Sequence, residues 1–184
     1  MKKLLKFLRR GIKSEFFAAP PTAIQFSLTS ACNLQCIMCH QKANWLPEDF
    51  LRLREGEENI FSRFLKIESL LAQATHLSLT GGGEPFLDPN LFKILEITSK
   101  YPNCNTSFNT NGTIFEEVKI KKLIQYNLTQ LDISFDSPNK VTFEQIRKGA
   151  DFNKIVDNIK KIKEIKSSFR SNKPKIVINM VVMR

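Results

Sequence analysis

The sequence predicts an α/β fold with a parallel sheet, and three observations point to it. Short, apolar, β-prone runs alternate with segments of helical periodicity along most of the 184 residues. Segments rich in glycine, cysteine or polar residues follow the predicted strands, where parallel α/β folds bind their ligands. The length suits one domain with a sizeable core. Repeated strand–helix units imply right-handed crossovers, a pattern that an open doubly wound sheet and a barrel both satisfy.

The predicted strands are runs rich in apolar and β-branched side chains. They cover residues 24–29, 76–80, 105–110, 130–135 and 175–183. The last run is almost continuously apolar. A strand of that kind is expected to have cover on both faces and a neighbour on each side.

The predicted helices lie between these strands. The first and the last are recognised by apolar residues that recur three, four or seven positions apart on one face. These residues are Ile60, Phe64, Ile67 and Leu71 for the first helix, and Phe152, Ile155, Ile159, Ile162 and Phe169 for the last. Two further helices are predicted at residues 91–100 and 116–126, the former with Pro102 just beyond its end.

The chain is basic, with a formal net charge of +10. Basic residues concentrate in residues 1–13 and 154–175, but no nucleic-acid-binding module accompanies them, so no nucleic-acid partner is expected. They indicate either solvated basic surfaces or a weak contact with a membrane surface or an acidic partner. Residues 1–21 are predicted to be a basic amphipathic leader. Because charges interrupt every apolar stretch of it, it is no secretory signal, and we predict a cytoplasmic protein with reduced thiols.

Cys32, Cys36 and Cys39 form the pattern C-x₃-C-x₂-C, in which three thiolates of one loop can converge on one metal centre. Thiolates suit iron–sulfur clusters, zinc and copper(I). Residues 36–40 also spell C-x-x-C-H, the haem attachment pattern, but haem attachment leaves Cys32 unexplained. A Cys₃His zinc site with His40 is a further alternative, although adjacent ligands make its geometry awkward. Three unrelated buried thiols are the remaining interpretation.

Four segments together resemble the core of the radical S-adenosylmethionine (SAM) enzymes. They are C32-N33-L34-Q35-C36-I37-M38-C39, G81-G82-G83-E84-P85, S134-F135-D136 and I146-R147-K148-G149. The resemblance spans residues 24–184 and implies a full or partial (β/α) barrel, of which about five parallel strands are present. It assigns residues 22–184 to the radical SAM core. Because the smaller barrels of the family have six strand–helix units, we expect this core to be incomplete, with the sixth unit absent.

The resemblance implies two cofactors. A [4Fe–4S] cluster would be held by Cys32, Cys36 and Cys39, leaving one iron open for the amino and carboxylate groups of SAM. The residues implied to bind SAM are Met38, Gly82, Gly83, Glu84, Ser134 and Arg147. In this assignment Gly82 and Gly83 let the backbone approach the methionine moiety, while Glu84 accepts from its ammonium group. Met38 packs on adenine, Ser134 bonds the ribose and Arg147 meets the carboxylate.

The activity that the resemblance implies is reductive cleavage of SAM to a 5′-deoxyadenosyl radical, which abstracts hydrogen from a substrate. The wording of the cysteine and G-G-G-E-P motifs is typical of members that modify peptides or proteins. An electron donor such as flavodoxin or ferredoxin is implied as a partner. The alternatives are a non-catalytic iron–sulfur or SAM-binding fragment that needs a missing segment or partner, and a zinc-binding module.

Overall fold

A computed structural model describes residues 20–40 and 59–183 of the chain. Five parallel strands form one sheet whose spatial order follows the sequence. The strands are β1 (Ala23–Gln25), β2 (His76–Ser78), β3 (Asn105–Thr110), β4 (Gln130–Ser134) and β5 (Lys175–Asn179). The predicted parallel α/β fold is therefore confirmed. The predicted leader lies outside the described residues, apart from its last two positions.

Helices connect the strands. They are α1 (Ile60–Ile67), α2 (Leu91–Thr98), α3 (Glu117–Gln125), α4 (Lys140–Ile146) and α5 (Phe152–Ser168), with 3₁₀ turns at Glu68–Ala72 and Pro85–Leu87. Helix α4 was not predicted, because it is short and its one fully buried side chain, Phe143, gives no periodic signal. Asn139, whose side chain accepts from the Thr142 amide, caps its start and was the available clue. No helix of the described segments is long and apolar enough to cross a membrane.

The two faces of the sheet differ in chemistry. Successive side chains of a strand point to opposite faces. One face carries the buried apolar side chains of the strands, packed against those of the helices, and this is where the core lies. Its strand residues include Leu77, Phe108, Leu131 and Ile133, and Leu79, just beyond β2, joins them. The other face is polar: Ser78, Ser107, Gln130 and Lys175 are in register across four neighbouring strands.

The first and last strands are shorter than predicted. Beyond β1, the Phe26 amide still donates to the Ser78 carbonyl at 2.8 Å, and the chain then leaves the ladder. β5 ends at Asn179 rather than Met183, because the Val181 amide donates to the Asp136 side chain instead of to a strand. Within the described segments β5 has one neighbour, β4, whereas the apolar pattern predicted two. Residues 180–183 are accordingly exposed.

Candidate cofactor site

A cavity of about 230 Å³ opens at the carboxyl ends of the strands. All nine residues predicted for the cluster and SAM line it: Cys32, Cys36, Met38, Cys39, Gly82, Gly83, Glu84, Ser134 and Arg147. The other lining residues are His40, Thr80, Gly81, Asn109, Thr110 and Asn111. The structure thus brings together in one place the segments that follow β1, β2, β3 and β4.

The cysteine-bearing loop is fastened to the segment that follows α4. The amide of Gln35 donates to the Lys148 carbonyl and the amide of Ile37 to the Ile146 carbonyl, both at 2.9 Å. The side chain of the preceding residue, Leu34, is buried, and its Cδ2 lies 3.6 Å from the position that a Cβ would take at Gly149. Gly149 has a φ of +92°, in the region that favours glycine. These contacts fasten the cysteine loop to the segment that follows α4.

Gly83 is in close contact with the same loop. Its amide donates to the Thr29 carbonyl at 2.9 Å, and the next amide, of Glu84, donates to the Ala31 carbonyl at 2.8 Å. A Cβ at Gly83 would collide with the backbone carbonyl oxygens of Ala31 and Thr29. The absence of a side chain is therefore required by the protein's own backbone, a reason different from the predicted approach of SAM. The SAM contact of Gly83 stays a prediction.

The Glu84 carboxylate is almost fully buried, with 1% of the residue exposed. Its Oε1 accepts from the Thr110 hydroxyl at 2.8 Å and from the Phe86 amide at 3.2 Å, and its Oε2 accepts from the Asn111 amide at 2.7 Å. Burial raises the pKa of Glu84, and these hydrogen bonds oppose the rise. The side chain thus holds the end of β3 against the loop after β2. Its predicted bond to the SAM ammonium would be added to this structural role.

Arg147 is buried rather than solvated, and it faces a partner that the sequence did not indicate. Its Nε lies 2.7 Å from Oδ2 of the buried Asp136, so the two side chains form an ion pair. The angle at the Nε–H group does not meet the requirement for a hydrogen bond. Its Nη1 is 3.9 Å from the Cys36 sulfur. Burial raises the pKa of the Cys36 thiol, and the Arg147 charge opposes that rise. The guanidinium therefore places a positive charge beside the cysteine loop, where it favours thiolate.

The donor set fits an iron–sulfur cluster. Three free cysteines of one loop line the same cavity, and soft thiolates are the ligands that such clusters use. Within residues 20–40 and 59–183, no three Cys, His, Asp or Glu side chains converge closely enough to share a single metal ion. A four-iron cluster would bind each thiolate at a different iron, so it would not need the three sulfurs to meet at one ion.

Residues that the sequence reasoning missed are Asp136 as the partner of Arg147, and Thr110 and Asn111 as the partners of Glu84. The sequence predicts the segment N109-T110-N111-G112 to be a strand-to-helix loop that shares one rim with the other strand-end segments, but it assigns no role to any residue of that segment. The structure places Asn109, Thr110 and Asn111 in the cavity lining. Cys104, the fourth cysteine of the chain, lies in the core.

The sequence matches a family and several curated proteins. Residues 26–184 match the model of the radical SAM superfamily. A probable GTP 3′,8-cyclase from Pyrococcus horikoshii is 32% identical over 168 residues, which are 91% of this chain and 49% of that protein. The GTP 3′,8-cyclase of Clostridium botulinum is 30% identical over 161 residues, 88% of this chain and 47% of that protein. The chain spans about half the length of the curated relatives it matches.

Solved structures resemble the fold. Streptococcus suis SuiB bound to S-adenosylmethionine superposes with a TM-score of 0.68 at 16% identity, over 100% of this chain and 40% of that one. Native anSMEcpe with bound AdoMet and Cp18Cys peptide superposes with a TM-score of 0.61 at 26% identity, over 89% of this chain and 44% of that one. The predicted partial (β/α) barrel is confirmed by these likenesses.

Proposed function

Because this chain belongs to the radical SAM superfamily, we propose that its cavity binds a [4Fe–4S] cluster and SAM side by side and that the protein cleaves SAM reductively. The observation that carries the proposal is that a single cavity is lined by the three cysteines and by all six residues predicted to bind SAM. With the cluster held by Cys32, Cys36 and Cys39, the chemistry it would supply is the electron for cleavage of SAM to a 5′-deoxyadenosyl radical, which would abstract hydrogen from the substrate. An electron donor of the flavodoxin or ferredoxin class would reduce it.

The residues of the chain position the reactants. Cys32, Cys36 and Cys39 would ligate three irons and leave the fourth for SAM. Glu84, Ser134 and Met38 would then receive the ammonium, the ribose and the adenine from three different strand ends. Because these residues come from separate segments that the fold brings to one cavity, the two cofactors would meet in a defined orientation.

The substrate is proposed to be polar. The cavity-lining Asn109 belongs to the polar face of the sheet, and it is in register with Asp132 of the neighbouring strand. Asp132 is 8% exposed. Oδ1 of Asp132 accepts from Gln130 at 3.0 Å and from Asn179 at 3.2 Å. The hydrogen-bonding side chains that line the cavity itself, among them Thr80, Asn109 and Asn111, suit a nucleotide or a peptide better than an apolar molecule. The names of the relatives favour GTP, so the earlier expectation of a peptide or protein stays a second candidate.

The test is anaerobic reconstitution of the full chain with iron and sulfide, followed by assay of 5′-deoxyadenosine under strong reductant, with and without GTP. Changing any one of Cys32, Cys36 and Cys39 to Ala should abolish the brown chromophore. Cys104→Ala is the matched control, because this thiol is 5% exposed in the core and should leave the cluster intact.

Each result has a distinct meaning. Stoichiometric zinc without iron in the wild type would refute the proposal. A loaded cluster without SAM cleavage would favour the non-catalytic fragment, which needs a missing segment or partner. If SAM is cleaved at the same rate with and without GTP, and GTP is not consumed, GTP is excluded as the substrate and the peptide candidate remains.

A further inference from the structure

The side chain of Asn111 reaches the cysteine loop from the opposite wall of the cavity. Its Nδ2 lies 2.9 Å from Oδ1 of Asn33 and 3.9 Å from the sulfur of Cys32. We propose that Asn111 is a positioning residue that donates an N–H···S hydrogen bond to Cys32 and raises the reduction potential of the cluster held there. This inference rests on the proposed function, since it requires the cluster.

The orientation of the Asn111 amide is determined by its neighbours. Its Oδ1 is 3.0 Å from the backbone amide of Thr113, a group that can only donate. The oxygen must therefore face Thr113, which directs the NH₂ group toward Asn33 and Cys32. One N–H then bonds Asn33, and the other is free to point at the sulfur.

Three side chains close a ring that holds this arrangement. Asn111 donates to Asn33 Oδ1, Asn33 donates to the Thr113 hydroxyl at 2.9 Å, and that hydroxyl donates to Asn111 Oδ1 at 2.7 Å. Every donor in the ring meets an acceptor, so the hydrogen bonds run in one consistent direction. The Asn111 backbone is held separately, because its amide donates to Glu84.

The ring joins two loops that are far apart in the sequence. Asn33 lies directly after Cys32, whereas Asn111 and Thr113 belong to the segment between β3 and α3. An N–H donor near a cluster sulfur stabilises the more negative, reduced state and so raises the reduction potential. Groups that bond metal ligands from outside also strengthen retention of the metal. Asn111 is placed to have both effects.

The experiment is a redox titration of the reconstituted full chain, followed by electron paramagnetic resonance, on wild type and three variants. Asn111→Ala removes the donor and should lower the equilibrium constant for reduction by up to about tenfold, a shift of about 59 mV to more negative potential. Thr113→Val removes the hydroxyl that bonds both asparagines, and a smaller shift in the same direction is expected. In competition with an iron chelator, Asn111→Ala should retain its cluster about tenfold less well.

Asn158→Ala is the matched control. The Asn158 side chain donates to the Gly112 carbonyl at 2.8 Å, so its loss loosens the same loop without removing the donor to sulfur. Its potential should equal that of the wild type. A shift in Asn158→Ala as large as that in Asn111→Ala would overturn the inference, because loosening of the loop would then explain both.

Unchanged potential in a fully loaded Asn111→Ala would also overturn it. If Asn111→Ala fails to load its cluster, the potential of Thr113→Val decides between the outcomes. A shift to more negative potential supports the inference, and an unchanged or more positive potential overturns it. A wild type that binds no iron would instead refute the proposed function, and the inference would fall with it.

Discussion

The two faces of the sheet are built from the same strands, but they differ in polarity and in what covers them. One face packs on the helices, and the other continues into the cavity. On the helix side Phe108 is fully buried, and its ring meets that of Phe86 edge to face at 5.4 Å between centroids. Its neighbours in sequence, Ser107 and Asn109, point to the other side, where Asn109 lines the cavity. The apolar face therefore contributes mainly to stability, and the polar face contributes side chains to the candidate binding site.

This division explains how the site can carry buried polar groups. Glu84 and the Arg147–Asp136 pair are all shielded from solvent, which is unfavourable for charges unless they are bonded or paired. The apolar core supplies the free energy that holds them in place. Their partners come from the strand ends and the loops that follow them: Thr110 and the Asn111 amide for Glu84, and Asp136 for Arg147. Substitutions on the two faces should therefore affect different measurements.

The largest effect is expected on the apolar face. Phe108→Ala should lower the free energy of unfolding by about 3–5 kcal/mol, because it removes a fully buried ring and leaves a cavity. Its matched control, Ser107→Ala, lies on the polar face and should change that free energy by less than about 0.5 kcal/mol. Chemical denaturation of the full chain measures both. Equal losses in the two variants would contradict the division between the faces.

A smaller effect is expected for Glu84→Gln, and it should appear in ligand binding. Loss of the carboxylate removes a charge-assisted bond of about 1.5–3 kcal/mol to the SAM ammonium, so affinity should fall roughly 10- to 100-fold while the cluster stays intact. Calorimetry with SAM on the reconstituted protein measures this. Glu116→Gln is the control, because that carboxylate is exposed and pairs with Lys119. SAM affinity that is the same in both variants would remove Glu84 from the SAM site.

The smallest effect is expected for Ser134→Ala, at the upper end of the polar face. Loss of one neutral hydrogen bond to the ribose should cost about 0.5–1.5 kcal/mol of SAM binding, roughly a 2- to 10-fold weaker affinity. The free energy of unfolding should change by less than about 0.5 kcal/mol, since Ser134 is only half-buried. Ser107→Ala serves as the control for binding as well. A Ser134→Ala protein that binds SAM like the wild type would limit the SAM site to the cysteine and glycine loops.

The sequence by itself determined the elements whose signal is local. The alternation of strands and helices follows from the spacing of apolar residues, and the cysteine and glycine motifs stand where strands end, so their meeting at one rim follows from parallel topology. Helix α4 was missed because seven residues with one buried side chain show no period.

Only the tertiary structure decided which side chains meet. Arg147 touches Asp136 and approaches the sulfur of Cys36, 111 residues away, and Asn111 approaches Cys32 across 79 residues. The requirement for glycine at position 83 likewise arises from the backbone of another loop, at Ala31. Local periodicity depends on neighbours within a turn or a strand, whereas these contacts depend on how loops from different strands pack against each other, which no single segment encodes.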